Sequence, residues 1–124
     1  MELTLQKPGD HYFIRSVTDQ GIQVVDDHYT GPVIISASRL ITDWPVESVD
    51  QLDEPQLERI FQLAPEIVLI GTGSKQELLP PRLLMCFYSR NIGVEIMTTD
   101  AACRTFNVLI SESRNAVAAL LPRI

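Results

Sequence analysis

Ile67-Val68-Leu69-Ile70 constrains this chain more than any other stretch, because it is apolar at every position and is bounded by Pro65-Glu66 and Gly71-Thr72-Gly73. Successive side chains of a strand point to opposite faces, so a run apolar at both parities needs cover on both sides. It reads as the central strand of a parallel or mixed sheet lying between helical layers.

The flanking segments suit that frame. Upstream, Pro55 fits the first turn of a helix with Asp53 or Glu54 before it, and Leu57, Ile60, Phe61 and Ala64 recur at helical spacing until Pro65. Downstream, Pro80-Pro81 precedes a helix over residues 82–90, which Asn91-Ile92-Gly93 ends with a left-handed cap. Val94-Glu95-Ile96-Met97 is the next strand. Thr98 or Thr99 then caps a helix with Asp100 in its first turn and Ala102, Phe106, Leu109 and Ile110 along one face. Residues 116–121 read as a closing strand.

The first third has a different texture. Tyr12 to Val17 and Ile22 to Val25, separated by Thr18-Asp19-Gln20-Gly21, form a hairpin pattern. Asp26 to Pro32 reads as a second turn and Val33 to Ser36 as the third strand of a meander. Trp44-Pro45 closes this part, and Glu47 to Glu54 reads as a polar connection. The expected architecture is an α/β domain, a mixed sheet flanked by helices with an extra N-terminal β-hairpin, in one domain over residues 1–124.

Charge and composition exclude several function classes. Ten Lys and Arg against sixteen Asp and Glu give a net charge of −6, and the basic residues are scattered. Phosphate backbones and anionic membranes need concentrated cations, so neither a nucleic-acid partner nor a membrane-surface role is expected. Met1 to Pro8 lacks the pattern of a secretory leader, and no apolar run approaches the roughly 18 residues of a membrane helix. The expectation is a soluble, cytoplasmic protein without membrane insertion.

No catalytic set stands out. His11 and His28 lack further ligands at metal spacing, Cys86 and Cys103 read as free, largely buried thiols, and neither metal nor cofactor is expected. Gly71-Thr72-Gly73 lies where open α/β sheets place ligands, yet Gln76 stands in place of the third glycine of a dinucleotide fingerprint, and no GKS or GKT follows. The glycines serve either a turn or a ligand rim. Thr98-Thr99 caps a helix or, beside that rim, offers amides to an anion. Glu95, inside an apolar strand, lies at a polar edge or pairs with Arg114 or Arg104.

These residues carry a resemblance. Gly71-Thr72-Gly73, the stretch Gly93 to Leu109, Glu112-Ser113-Arg114, Tyr29 to Ile35 and Trp44 resemble the Mth938-like family, a domain of unknown function, over nearly the whole chain. The resemblance implies a three-layer α/β fold around a mixed five-stranded sheet with added β-structure on one side. It also implies kinship with a mitochondrial complex I assembly factor that acts as a binding protein. Glu95, Thr105, Asn107, Glu112 and Arg114 match the family, whereas Thr98 stands where Asp is frequent, Ser113 where Gly is, and Phe106 where Tyr is common.

The expected function is a non-enzymatic binding or assembly-assisting domain working through protein contacts, on the N-terminal β-layer or beside the Gly71 loop, with self-association left open. The alternative is a small anionic-ligand protein or enzyme. The candidate site for ligand or partner comprises Gly71, Thr72, Gly73, Glu95, Thr98, Thr99, Asn107 and Arg114. Its decisive feature is whether Glu95, Asn107 and Arg114 converge on an open pocket.

Overall fold

The computed structural model describes residues 11–123 and the short strand Glu2–Thr4; the reading of Met1 to Pro8 as free of a leader falls mostly outside these. The elements are β1 (Glu2–Thr4), β2 (Ile14–Thr18), β3 (Gly21–Val24), β4 (Asp27–Tyr29), β5 (Val33–Ile35) and β6 (Arg39–Ile41), then α1 (Glu54–Phe61), β7 (Ile67–Gly71), α2 (Pro81–Tyr88), β8 (Gly93–Met97), α3 (Thr99–Ser111) and β9 (Ala116–Leu120). One sheet has six strands rather than the five expected, in the order β1-β6-β5-β9-β7-β8, because β1 adds to β6 at its edge, and β2-β3-β4 form a second, three-stranded sheet in place of a hairpin.

The main sheet is mixed. β7 runs parallel to β8 and β9, while β5 joins β9 antiparallel. Both faces of β7 are covered, as its composition demands. Val68 and Ile70 enter a core with Trp44, Leu57, Ile60, Leu83 and Phe87 beneath α1 and α2. Leu69 enters the opposite core with Ile14, Ile22, Ala102 and Phe106 beneath α3 and the small sheet. Val117 and Ala119 of β9 go to the first core, Ala116, Ala118 and Leu120 to the second.

The helix signals act as their chemistry predicts. Asp53 caps α1 by accepting the Gln56 N–H, and Thr98 caps α3 by accepting the Ala101 N–H. Asn91 ends the α2 connection in the left-handed region at φ 61°. The Asp frequent in the family at the Thr98 position is an equally good cap, so that departure preserves the helix start. Phe106 is fully buried beneath α3, so the phenol that the family often carries there would meet core rather than solvent.

Several expectations are corrected. The third strand of the meander is Asp27–Tyr29, expected as a turn, and Val33–Ile35 belongs to the main sheet instead. Pairing with Ile22 to Val24 holds this polar segment extended despite its turn-prone residues. Arg39–Ile41 is a further strand, and the polar connection after Trp44 contains a 3-10 turn, Val49–Gln51. Helix α1 stops at Phe61, because Ala64 already lies in the left-handed region at φ 52°. β7 lies one strand in from the edge rather than at the sheet's centre.

After α3 the chain turns through Ser113 at φ 59°. A residue with a Cβ pays roughly 1 kcal/mol for that conformation, a cost that the glycine implied by the resemblance would avoid. Ser113→Gly is therefore expected to stabilise the protein by about 0.5–1 kcal/mol in urea denaturation.

Candidate functional site

The carboxyl ends of three parallel strands meet at one rim, bringing together Gly71-Thr72-Gly73, Thr98-Thr99 and Leu121 to Arg123. A Cβ added to Gly71 would lie 2.9 Å from the Thr99 Cα, so this glycine lets the start of α3 sit against the strand end. Thr99 is fully buried. Its Oγ1 accepts the Gly73 N–H at 2.8 Å and donates to the Leu121 carbonyl at 2.8 Å, while its own N–H bonds the Gly73 carbonyl at 2.9 Å.

Thr72 is as tightly engaged. Its hydroxyl lies 2.7 Å from the Lys75 carbonyl and 3.2 Å from that of Met97, and it accepts the Glu77 N–H at 3.2 Å. The amides of Gly73 and Thr99, which an anion would need, are thus committed to the rim itself. What opens to solvent is a cavity of about 440 Å³ lined by Thr72, Gly73, Ser74, Lys75, Glu77 and Arg123, among others. Lys75 has no ion-pair partner among the described residues, whereas Arg123 lies 3.2 Å from Asp19 and 3.7 Å from Asp100. Neither Lys75 nor Arg123 was among the expected site residues: Lys75, two positions after Gly73, lay near enough to the glycines to be found, whereas Arg123, beyond the last strand, carried no local signal.

Glu95, Asn107 and Arg114 do not converge. Glu95 is exposed on β8, an edge strand, and makes no ion pair among the described residues. The edge explanation therefore holds for it, and Arg114 instead pairs with Glu66 at 3.0 Å. That guanidinium hydrogen bond, then the Asn115 N–H, lower the Glu66 carboxyl below its ordinary range. Asn107 clamps β2 onto α3: its Oδ1 accepts the Ile14 N–H at 2.8 Å and its Nδ2 donates to the Ile14 carbonyl at 2.7 Å.

Burial first and the Asp100 charge second push the Cys103 thiol up to about 12 against the opposing Arg104, so it is an inert core group. Among the described residues no group of three His, Cys, Asp or Glu side chains is placed to hold a metal. No helix is long and apolar enough to cross a membrane.

Fold and rim together define a three-layer α/β domain whose polar side chains mostly bind its own backbone. Residues 14–121 match the model of a family described as a protein of unknown function, DUF498/DUF598, and the chain belongs to this Mth938-like family. A Mth938-like domain from Bordetella pertussis, solved by NMR, superposes with a TM-score of 0.82 at 26% identity, over 99% of this chain and 93% of that one. The NADH dehydrogenase [ubiquinone] 1 alpha subcomplex assembly factor 3 of Xenopus tropicalis is 35% identical over 112 residues, covering 89% of this chain and 61% of that protein. The chain thus spans about three fifths of the length of these assembly factors. A Francisella tularensis 13 kDa major membrane protein is 34% identical over 88 residues, 70% of this chain and 72% of that protein.

Two measurements check this geometry. Thr99→Val leaves the Gly73 N–H and the Leu121 carbonyl without their shared hydroxyl, so a loss of about 3 kcal/mol is expected, while Thr99→Ser keeps most of the stability. Because the Glu66 pKa is lower in the folded state, its contribution is fully present above the ordinary carboxylate pKa of about 4.3 and is lost as pH falls through the lowered value. A carboxyl NMR titration should show Glu66 moving back toward ordinary values in Arg114→Ala.

Proposed function

We propose that this chain is a non-enzymatic binding domain that assists assembly through protein–protein contacts. The observation carrying this reading is how the rim spends its polar groups. Thr72 and Thr99 at the rim are hydrogen-bonded to backbone of their own fold, and Asn107, away from the rim, is spent in the same way on Ile14. A catalytic group must instead reach a substrate with a free donor, acceptor or lone pair. The assembly-factor names of the relatives supply the direction, and the low density of positive charge favours a protein over a nucleic acid. The proposal includes no cofactor and a cytoplasmic location, which cell fractionation tests.

Affinity capture of the tagged chain from its own lysate, followed by size-exclusion chromatography, should recover a stoichiometric protein partner. A monomer throughout, with no partner, would sink the proposal. The second reading, a small anionic ligand, is favoured by one feature: Lys75 and Ser74 face the rim cavity beside Gly73. A thermal-shift screen with phosphates, nucleotides and carboxylates addresses it, and a flat response removes it.

A further inference from the structure

The outer edge of β8 ends the main sheet, and no described strand pairs with it. The Gly93 N–H bonds the Glu66 carbonyl and the Met97 carbonyl accepts from Thr72, so the odd-numbered residues of β8 turn their backbone inward to β7. By the alternation of a strand, Val94 and Ile96 turn theirs outward. Gln76 marks that direction, because its exposed side-chain amide donates to the Ile96 carbonyl at 3.0 Å, in the position a neighbouring strand's N–H would take.

Apolar side chains border this edge. Val94 and Ile96 are half-buried against the same core as Leu84 of α2. Cys86 and Arg90 face α1, where Arg90 pairs with Glu58 and covers the Phe61 ring. Leu84 and Tyr88, one turn apart on the opposite flank, therefore look away from α1 and toward the free edge, and Tyr88 is 57% exposed.

Glu95 selects the occupant. A second copy pairing antiparallel about the middle of β8 would set Glu95 directly against its own equivalent, a destabilising arrangement in a chain already at net −6. We infer that the free edge of β8 is a docking site for an extended segment of a partner protein, with basic residues on the face of Glu95 alternating with apolar residues on the face of Val94, Ile96 and Leu84. The partner's main chain completes the bonds that Val94 and Ile96 leave open and displaces the Gln76 amide. Its alternate side chains supply selectivity. This rests on the reading of the chain as a protein-binding domain and names the surface and the chemistry of what it binds.

The probe is a short blocked peptide of alternating valine and lysine, with two controls: alternating valine and glutamate, and a block sequence of the same valine and lysine content. Binding of the alternating lysine peptide should slow amide hydrogen exchange at Val94 and Ile96 and shift the Gln76 side-chain resonances. Glu95→Lys, at an exposed position, should weaken that peptide about tenfold and reverse the preference toward the glutamate peptide. Equal binding of the block peptide, unchanged exchange at Val94 and Ile96, or an unaltered preference in Glu95→Lys would overturn the inference. So would a peptide-free dimer in which those two amides are already protected, which would assign the edge to a second copy. If the captured natural partner is retained undiminished by Glu95→Lys, this edge is refuted while the binding function stands; if wild type captures none, the binding function itself fails.

Discussion

Burial of the parallel strands β7 and β9 on both faces is the constraint from which the rest of the molecule follows. Leu69, Val68 and Ile70 have no solvent exposure, nor do Val117, Ala118 and Ala119, so each face of the sheet requires its own cover. Helices α1 and α2 cover one face, while α3 with the small sheet covers the other. At about 25 cal/mol per Å² of apolar surface removed from water, these two cores are the main favourable term in the fold. The small sheet is part of this cover, and Asn107 fixes it to α3 by satisfying both backbone groups of Ile14.

The same burial decides what happens at the rim. Strand ends of a parallel sheet leave backbone donors and acceptors open, and in many α/β proteins a ligand takes them. Here the Thr99 hydroxyl and the Thr72 hydroxyl take them instead, joining the ends of β7 and β9 to the starts of α3 and the following loop. The rim is closed from within, and the groups left for solvent are those of the Ser74-Lys75 loop and the outer edge of β8.

Much of this was legible beforehand where one residue's chemistry acts locally. The doubly apolar run, helix starts at Asp53-Glu54 and Thr98-Thr99, the Asn91 turn and the apolar stripe of α3 each followed from side-chain volume, a single hydrogen bond or a permitted φ. Legibility failed where long-range pairing overrode local preference. Asp27-His28-Tyr29 is turn-like by composition yet extended by its ladder to β3, and Val33–Ile35 pairs with β6 and with β9, a strand more than eighty residues away, rather than with the meander before it. The candidate site divided the same way: Gly71, Gly73, Thr98 and Thr99 were brought together, because strand ends and a helix start converge by topology. Glu95, Asn107 and Arg114 were separated, because partner choice depends on which groups lie closest in space: Glu66 lies beside Arg114, and the Ile14 backbone beside Asn107.

The sequence by itself determined that the second half is a mixed or parallel sheet between layers and where its helices begin. Those properties depend on residue type and on separations of a few positions. Only the tertiary structure decided that the glycine-threonine rim is closed by its own hydroxyls and that β8, carrying Glu95, is the sheet's edge. Both depend on strand order, which arises from contacts between residues far apart in the chain, where no local pattern records which neighbour a backbone edge receives or whether it receives one at all.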